Sequence, residues 1–329
     1  MSDITILMPT YNKEKYISKA LDSILAQKTT YSMKILIADD CSTDNTLNIV
    51  NSYKNKTKIK IEVLTSTSNQ GLYFNIIRAY KHIQTNYFTV LDPDDYWCDD
   101  YKIQDALNFL EANNEFTIYS SNIFIKDGKS IRKYFKDKKP YNFGFNDFLK
   151  QKHVVGQTSG TIFRNIIFIN GIPERISELE NYTKKSSFRG DSFRNIIHLH
   201  EGLCHYDPKC RSVYQITEEG IWTSSSNFAR ELLNANLCKD MFLYFEKKYI
   251  ELLQQSFDIY KSIMKKIYIY LSQDNVNSTN IFNNLNELQE LYTEYKDSLF
   301  FTRKNENLLK HILIVFVQKL YNRLSSYIQ

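Results

Sequence analysis

Residues 87–97 have the sequence YFTVLDPDDYW, an apolar run followed by three carboxylates, Asp92, Asp94 and Asp95. The apolar run is typical of a buried strand, so the acids lie where that strand ends. Carboxylates this close repel one another and raise at least one pKa, unless a bound cation offsets their charge. Mg²⁺ or Mn²⁺ suits such a site, because these ions prefer oxygen ligands and are often held by only one or two carboxylates. An acidic turn that ends the strand and caps the next helix explains the same residues equally well.

Strands and helices alternate through the first 91 residues. The predicted strands are 4–8, 33–38, 60–64 and 87–91, and the predicted helices between them are 14–27, 45–55 and 73–84. Pro9 marks the end of the first strand, because proline cannot donate a hydrogen bond to a sheet. The alternation predicts an α/β fold with a mostly parallel sheet covered by helices on both faces.

A polar cluster follows each of these strands. The clusters are 10–12, 39–40, 69–71 and 92–95. In a parallel sheet the carboxyl ends of the strands meet at one edge, and ligands bind beyond that edge. We therefore expect all four clusters to line one crevice.

Composition indicates an ordinary globular protein of 329 residues, with 43% hydrophobic and 24% charged residues. The net charge of +5 is mild and dispersed, so we expect no nucleic-acid partner. The five cysteines lack CxxC spacing, which suits a reducing compartment better than a disulfide scaffold. No signal-peptide pattern opens the chain, and no apolar run approaches the ~20 residues that span a bilayer. These features predict a cytoplasmic protein.

Further helices and strands are predicted after residue 100. The predicted elements are a helix at 101–112, a strand at 116–125, a strand at 159–164, a helix at 192–200 and a strand at 212–216. The section 130–152 is basic and aromatic, and either a flap or a solvated linker would explain it. Helical periodicity dominates from about residue 227. We predict an α/β domain over 1–225 and an α-helical region over 226–329.

Four motifs, in order and spacing, resemble glycosyltransferase family 2. They are ILMPTYN at 6–12, ADDCSTD at 38–44, Asn69-Gln70-Gly71 with Asn75 and Arg78 after it, and LDPDDYW at 91–97. The resemblance covers about residues 3–222 and implies a nucleotide-diphosphate-sugar-binding domain of the GT-A type. It also implies an inverting transfer from a UDP-sugar to a glycan or polyprenyl-linked acceptor in bacterial surface polysaccharide synthesis.

The resemblance further implies how the donor is bound. The implied nucleotide-binding residues are Pro9, Thr10, Tyr11, Asp39, Asn69, Gly71, Arg78 and Asp94. Tyr11 would stack on the base, and Asp39 would accept a hydrogen bond from uracil N3–H. Asp94 and Asp95 would hold Mn²⁺ or Mg²⁺, which offsets charge on the departing nucleoside diphosphate. Arg78, on a predicted helix, could equally be a surface or ion-paired arginine.

Asp191 resembles the catalytic base of the family, which would take the proton of the acceptor hydroxyl. Alternatively, it caps the helix that begins beside it. The sequence departs from the family pattern in two places. Phe74 replaces a usual lysine, and Gln215 and Thr217 replace the Arg and His that often follow the tyrosine at 214. They leave a non-catalytic nucleotide-sugar-binding or scaffold protein as the alternative function.

Two other functions receive weaker support. A nucleotidyltransferase would bring a glycine-rich phosphate loop near its N-terminus, and residues 9–13 do not form one. A zinc site would use His198, His200, Cys204, His205 and Cys210. Their spacing matches none of the usual zinc patterns, so ordinary core or surface positions are the better expectation.

The segment 300–329 contains the apolar run HILIVFV flanked by lysine and arginine. A basic, apolar helix of this kind could lie at a membrane surface beside a lipid-linked acceptor. Packing against the catalytic domain, or against a second copy in a homo-oligomer, explains the same pattern equally well.

Overall fold

The computed structural model describes residues 2–176, 191–217 and 227–271. The chain divides into two compact units, 1–223 and 224–329. The loop at 181–190 and the segment 300–329 lie outside the described residues, so the predictions made for them stay predictions.

The first unit contains a large sheet and its flanking helices. Its strands are β1 (Ile4–Thr10), β2 (Met33–Asp39), β3 (Lys60–Thr65), β4 (Tyr87–Val90), β5 (Tyr96–Trp97), β6 (Phe116–Asp127), β7 (Ser130–Lys133), β8 (Tyr141–Phe143), β9 (Thr161–Arg164) and β10 (Leu203–Ile216). Its helices are α1 (Ile17–Leu25), α2 (Thr46–Lys54), α3 (Leu72–Tyr80), α4 (Lys102–Ala112), α5 (Phe145–Leu149) and α6 (Asp191–Glu201), with a 3₁₀ turn at Thr158–Gly160.

The strand order explains where a site can form. It runs β3-β2-β1-β4-β9-β6-β10-β5, with β7 beside β6 and β8 beside β10. Strands β1 to β4 are parallel, and β9 runs antiparallel between β4 and β6, so β6 and its parallel neighbour β10 point the same way as β4. The carboxyl ends of these strands therefore share one edge. The predicted α/β fold with a mostly parallel sheet is confirmed.

Helices cover both faces of the sheet. Helix α1 buries Ile17, Ala20, Leu21 and Ile24, and helix α4 buries Ile103, Ala106, Leu107 and Leu110, all with no exposed surface. Both sets have the i, i+3, i+4, i+7 spacing of one helical face. Each fully buried Leu or Ile contributes about 1.5–3 kcal/mol. On the opposite face, Tyr80 of α3 and His198 of α6 pack against Phe88 at ring distances of 6.0 and 5.5 Å.

Pro9 does not end the first strand, so that prediction was wrong. Strand β1 pairs with β2 as far as Thr10, which lies opposite Asp39, whereas its pairing with β4 stops at Leu7. Backbone polar groups of successive residues face opposite sides of a strand, and the Thr10 carbonyl accepts from Asp40 on the β2 side. The missing N–H of Pro9 therefore falls where no neighbouring strand pairs with it.

Strand β10 begins nine residues before the predicted strand at 212–216. Its first half contains Pro208 and Lys209, which interrupt the apolar pattern. The register against β6 shifts between Asp207 and Cys210, a bulge that accommodates the proline. Tertiary pairing with β6 thus forms a strand that local sequence does not indicate.

The second unit is helical where the structure describes it. Helices α7 (Asn227–Tyr244) and α8 (Ile250–Leu271) pack against each other. Their buried side chains include Leu232, Ala235, Met241, Leu252, Phe257, Tyr260 and Ile263. Among the described residues of the whole chain, no helix is both long and apolar enough to cross a membrane.

Candidate active site

The loops after β1 and β2 are tied together at the carboxyl edge. The Asn12 backbone N–H donates to Ser42 Oγ (2.9 Å), and the Thr43 N–H donates to Asn12 Oδ1 (2.8 Å). Asn12 adopts a positive φ of 49°, a conformation that asparagine tolerates better than most residues. The Asp39 carboxylate accepts from the Ser42 N–H (2.9 Å) and hydroxyl (2.6 Å). These contacts bring together the first two of the predicted polar clusters.

The loop after β3 joins them through Asp40. Its carboxylate accepts from the backbone N–H groups of Gln70 (2.9 Å) and Gly71 (2.7 Å). Asn69 Oδ1 also accepts from the Gly71 N–H (2.9 Å). Gly71 has a φ of +87°, a conformation that strains any residue with a Cβ. Sequence analysis did not include Asp40 among the site residues, although its place after β2 was visible.

Arg78 holds strand ends in place. Its guanidinium donates to the carbonyls of Thr65 (2.7 Å), Asp39 (3.0 Å) and Leu64 (3.3 Å) and to Asn75 Oδ1 (2.7 Å). These carbonyls belong to the carboxyl ends of β2 and β3. Arg78 therefore fixes α3 against the edge that carries the site, and its predicted contact with the donor stays a prediction.

The predicted base pocket differs in accessibility from residue to residue. Pro9, Thr10 and Asp39 are buried, and Thr10 Oγ1 donates to the Met8 carbonyl (3.1 Å). Tyr11 is 42% exposed, so part of its side chain is accessible to a ligand. The roles predicted for these residues stay predictions.

The acidic turn after β4 is held from both sides. Lys13 Nζ lies 2.9 Å from Asp94 Oδ2. The Asp95 carboxylate is buried and accepts from the Gln215 backbone N–H (3.0 Å) and from Gln157 Nε2 (3.3 Å). Gln215 Nε2 also donates to the Asp94 carbonyl (2.6 Å). Lys13, Gln157 and Gln215 are therefore site residues that sequence analysis missed, and Gln215 drew attention there only as a departure from the family pattern.

The carboxyl groups of this turn disfavour one another's ionisation. Burial and the charges of Asp94 and Asp191 together raise the pKa of Asp92 to about 7, although Arg194 and Lys13 oppose the shift. Burial, together with the charges of Asp92 and Asp94, raises the pKa of Asp95 well above its usual range. A bound divalent cation would offset this repulsion.

The donor atoms fit a hard cation such as Mg²⁺ or Mn²⁺, because they are carboxylate oxygens at the carboxyl edge of the sheet. In the part of the chain that the structure describes, no three His, Cys, Asp or Glu side chains are arranged to hold a metal by themselves. That arrangement agrees with a site whose shell is completed by substrate phosphates and water. Asp94, with a side chain 17% exposed, is more accessible than Asp95, which is 1% exposed.

Asp191 is the first residue of α6 and lies at the same edge. Its Oδ2 accepts from Thr158 Oγ1 (3.1 Å), and its Oδ1 accepts from Ser192 Oγ (3.3 Å). Its charge contributes to the raised pKa of Asp92, so the two carboxylates share one electrostatic environment. The sequence predicts that Asp191 and the acidic turn belong to one active site, and the structure places both at the same edge of the sheet.

Arg194 is a further residue that sequence analysis missed. It follows Asp191 by three positions on α6 and is only 1% exposed. Its Nη1 donates to the Tyr80 hydroxyl (3.2 Å), and its guanidinium lies 4.9 Å from the centre of the Phe163 ring. The charge of this buried arginine opposes the rise in the pKa of Asp92.

The histidines and cysteines considered for zinc occupy separate environments. His198 packs against Phe88, Phe163 and Phe168, and its Nδ1 donates to the Arg194 carbonyl (2.8 Å). Burial lowers the pKa of His198 to about 3, so the ring is neutral. His205 stacks on a different ring, that of Phe109, at 4.1 Å. His198 and His205 therefore make the ring contacts of ordinary core and surface residues.

A sequence profile described as "Glycosyl transferase family 2" matches residues 5–171. The chain belongs to glycosyl transferase family 2. This family 2 member is 24% identical over 224 residues to an uncharacterised protein of Mycobacterium tuberculosis, a match covering 68% of this chain and 61% of that relative. It is 35% identical over 118 residues to the poly(ribitol-phosphate) beta-N-acetylglucosaminyltransferase TarS of Staphylococcus aureus, covering 35% of this chain and 20% of TarS. The chain thus spans about 61% of the length of its mycobacterial relative.

Two solved structures resemble the fold of this family 2 member. Residues 1–349 of Staphylococcus aureus TarS in complex with UDP-GlcNAc give a TM-score of 0.54 at 16% identity, covering 96% of this chain and 81% of that one. The mannosyltransferase PcManGT of Pyrobaculum calidifontis, in complex with GDP-Man and Mn²⁺, gives 0.50 at 14% identity, covering 98% and 88%. At these identities the likeness shows the fold, and the predicted GT-A type is confirmed.

Proposed function

We propose that this protein transfers a sugar from a UDP-sugar to a hydroxyl group of a bacterial surface glycan, with inversion at the anomeric carbon. One observation carries the proposal: the adjacent residues Gln157 and Thr158 donate hydrogen bonds to Asp95 (3.3 Å) and Asp191 (3.1 Å), which brings Asp191 to the acidic turn. Family membership supports the reaction class. The name of TarS, a poly(ribitol-phosphate) beta-N-acetylglucosaminyltransferase, and its complex with UDP-GlcNAc support a uridine nucleotide donor and a polymeric acceptor.

The donor nucleotide would bind across the loops after β1 and β2. The base would stack on the ring of Tyr11, which is 42% exposed. Asp39 would accept from uracil N3–H, because each of its oxygens retains a lone pair after accepting from Ser42. The tied loops hold both residues in place before the donor arrives.

Asp94, with Asp95 beside it, would hold Mn²⁺ or Mg²⁺. When bound, the ion would offset negative charge that builds on the leaving diphosphate. The presence of Mn²⁺ in PcManGT supports this assignment. Lys13, 2.9 Å from Asp94, would add a second positive charge at the same place.

Asp191 would act as the general base. It takes the proton from the acceptor hydroxyl while that oxygen forms a bond to the anomeric carbon, and the bond from this carbon to the diphosphate oxygen breaks. Attack from the face opposite the leaving group inverts the centre, so one base is sufficient. The hydrogen bond from Thr158 orients the carboxylate for this step.

The test measures UDP release from a panel of UDP-sugars, with and without glycan acceptors. Asp191→Asn is expected to lower turnover about 10²- to 10⁴-fold, the usual effect of removing a general base, while UDP binding persists. Asp137→Asn, at an exposed carboxylate, serves as the matched control. EDTA should abolish turnover in the wild-type protein.

Unchanged turnover in Asp191→Asn would remove the base from the mechanism. UDP binding without turnover across the whole panel would instead support the alternative of a non-catalytic nucleotide-sugar-binding protein.

A further inference from the structure

The hairpin formed by β6 and β7 reaches the edge of the sheet that carries the site. Strand β9 pairs with β6 at residues 118–120, and β7 takes its place beside β6 at residues 124–127. On its other side, β6 pairs with β10 as far as Ile216, which lies opposite Asp127. The hairpin turn at residues 128–129 therefore lies at the carboxyl end of β6.

The hairpin lies beside the acidic turn. Gln215 of β10 pairs with Lys126 of β6, which in turn pairs with Ile131 of β7. Since neighbouring strands are about 4.8 Å apart, the backbone of Ile131 lies roughly 10 Å from that of Gln215. The Gln215 N–H donates to Asp95 (3.0 Å). A surface that binds the hairpin is thus held close to the carboxylates of the site.

Both faces of the returning strand are accessible. The Tyr134 N–H donates to the Ile123 carbonyl (3.0 Å), so the ladder continues one residue past β7. Side chains alternate along a strand, which places Ile131 and Lys133 on one face and Arg132 and Tyr134 on the other. All four are exposed, Ile131 at 62% and Tyr134 at 43%. Each face therefore carries an apolar or aromatic side chain next to a basic one, as segments at a membrane interface do.

The hairpin and the residues after it carry the excess positive charge of the chain. Residues 129–139 contain one acid, Asp137, and six basic residues, which are Lys129, Arg132, Lys133, Lys136, Lys138 and Lys139. All six are exposed, and none pairs with an acid that the structure describes. The rest of the chain contains equal numbers of basic and acidic residues, because the totals are 42 and 37. The positive charge is therefore concentrated here, and the dispersed charge expected from the composition is corrected.

These features fit an anionic lipid bilayer better than a soluble anionic polymer. Each lysine or arginine near an anionic leaflet strengthens binding about fivefold. A polymer segment is held in a concave site, whereas β7 exposes both of its faces and forms no wall of a groove. Ile131 offers no polar group to a glycan or a polyphosphate, but it gains from entering the boundary between lipid headgroups and acyl chains.

We propose that the β6–β7 hairpin and residues 136–139 attach the protein to an anionic membrane surface, with Ile131 entering the headgroup region. The basic side chains contact lipid phosphates, and Tyr134 lies at the level of the headgroups. Because the hairpin is next to the acidic turn, the carboxyl edge of the sheet faces the membrane, where an acceptor carried on a lipid reaches the site. Membrane binding requires neither donor nor turnover, so it does not depend on the proposed function.

Co-sedimentation of the full chain with lipid vesicles tests the proposal. At low salt the wild-type protein should sediment with vesicles that contain phosphatidylglycerol and not with phosphatidylcholine alone, and high salt should weaken the binding by screening. Replacing Lys136, Lys138 and Lys139 together by glutamine should weaken binding about 10- to 100-fold. Ile131→Ser keeps every charge and should weaken it about fivefold to tenfold, because the apolar contact is lost.

The matched control replaces Lys54, Lys56 and Lys58 together by glutamine. These lysines are exposed and precede β3, so they lie at the opposite edge of the sheet, and the variant loses the same charge as the hairpin variant. It should bind anionic vesicles within about twofold of the wild type, as expected for exposed charges away from the contact.

Equal weakening by the two triple variants would overturn the hairpin contact, because total charge alone would then set the affinity. Unchanged binding in the hairpin variants would also overturn it and place the contact elsewhere in the chain. Binding of soluble polyphosphate by the wild type and Ile131→Ser alike, without binding to vesicles, would show that the segment recognises an anionic polymer instead. UDP-sugar hydrolysis by the wild-type protein, measured in parallel, tests the proposed function separately.

Discussion

Lys13 places a positive charge at the carboxylate that is predicted to bind the metal. Its ammonium group pairs with Asp94 at 2.9 Å, and both side chains are largely buried, at 18% and 17% exposed. The pair joins the loop after β1 to the turn after β4 across 81 residues of chain. A cation that binds Asp94 must compete with this ammonium group, and the displaced lysine would then be available to a diphosphate.

Lys13→Met should therefore tighten Mn²⁺ binding in the absence of donor, because the competing ammonium group is gone. We expect about a fivefold to tenfold lower Kd, which corresponds to the removal of one partly buried ion pair. Isothermal titration calorimetry with Mn²⁺ alone measures it. Lys28→Met, which removes the same charge from the exposed pair with Asp100, is the control and should bind as the wild type does. Weaker binding in Lys13→Met would show that the lysine supports the metal site instead of competing for it.

At the scale of elements, α4 starts beside an unusual cluster of charges. Arg211 of β10 is buried and bonds to Asp99 (2.5 Å), Asp105 (2.8 Å) and Asp207 (2.8 Å), which ties β10 to the start of α4. Lys102, the first residue of α4, has no exposed surface, and its Nζ has no hydrogen-bond partner among the described residues. Burial and the charge of Arg211 lower the pKa of Lys102 to about 7.

Lys102→Met should stabilise the fold, and the gain should depend on pH. The native lysine loses its proton near pH 7, whereas the unfolded lysine keeps it to about pH 10.5, so the wild-type protein gains stability as pH rises between these values. The methionine variant lacks this penalty. Its free energy of unfolding should exceed that of the wild type by about 2–4 kcal/mol at pH 6.5, and the difference should shrink toward pH 9.5.

Urea unfolding at both pH values measures this difference, with Lys129→Met as the exposed control. A constant difference across the pH range would show that the lysine is not neutral in the native state.

Elements with a strong local period were predictable from the sequence, and those formed by tertiary pairing were not. The helix predicted at 101–112 is observed at Lys102–Ala112, because its apolar residues follow one helical face. Strand β5 has only two residues and exists through pairing with β10, so no local pattern indicates it. The first half of β10 was missed for a similar reason, since Pro208 hides a strand that β6 stabilises.

For the molecule as a whole, the topology of the sheet determines how much of the site can be predicted from the sequence. Parallel strands bring their carboxyl ends to one edge, so the convergence of the clusters that contain Asp39 and Asp94 followed from topology alone, whereas Asp191 was predicted only from the family resemblance. The residues that bind the acidic turn could not be predicted from this topology. Gln157 and Gln215 reach Asp95 from 62 and 120 residues away, and such contacts depend on three-dimensional packing that periodicity does not encode.

The raised pKa values of the carboxyl groups in the acidic turn make the free energy of unfolding depend on pH. The native Asp92 keeps its proton to about pH 7, whereas an unfolded aspartate loses it near 3.8, so the native state binds more protons between these values. The free energy of unfolding should therefore fall as pH rises from about 5 to 7.5. Asp95 acts in the same direction. Asp92→Asn should reduce the fall by about 2 kcal/mol, because an amide has no proton to lose.

Mn²⁺ with UDP should restore the lost stability at pH 7.5 but not at pH 5, since the ion binds the deprotonated carboxylates. Urea unfolding at a series of pH values, with and without Mn²⁺ and UDP, measures both effects, and Asp137→Asn is the control. Parallel pH profiles for Asp92→Asn and the wild type would contradict the raised pKa. A Mn²⁺ effect that is equal at pH 5 and 7.5 would place the ion away from this turn, because at this turn protons and metal compete for the same oxygens.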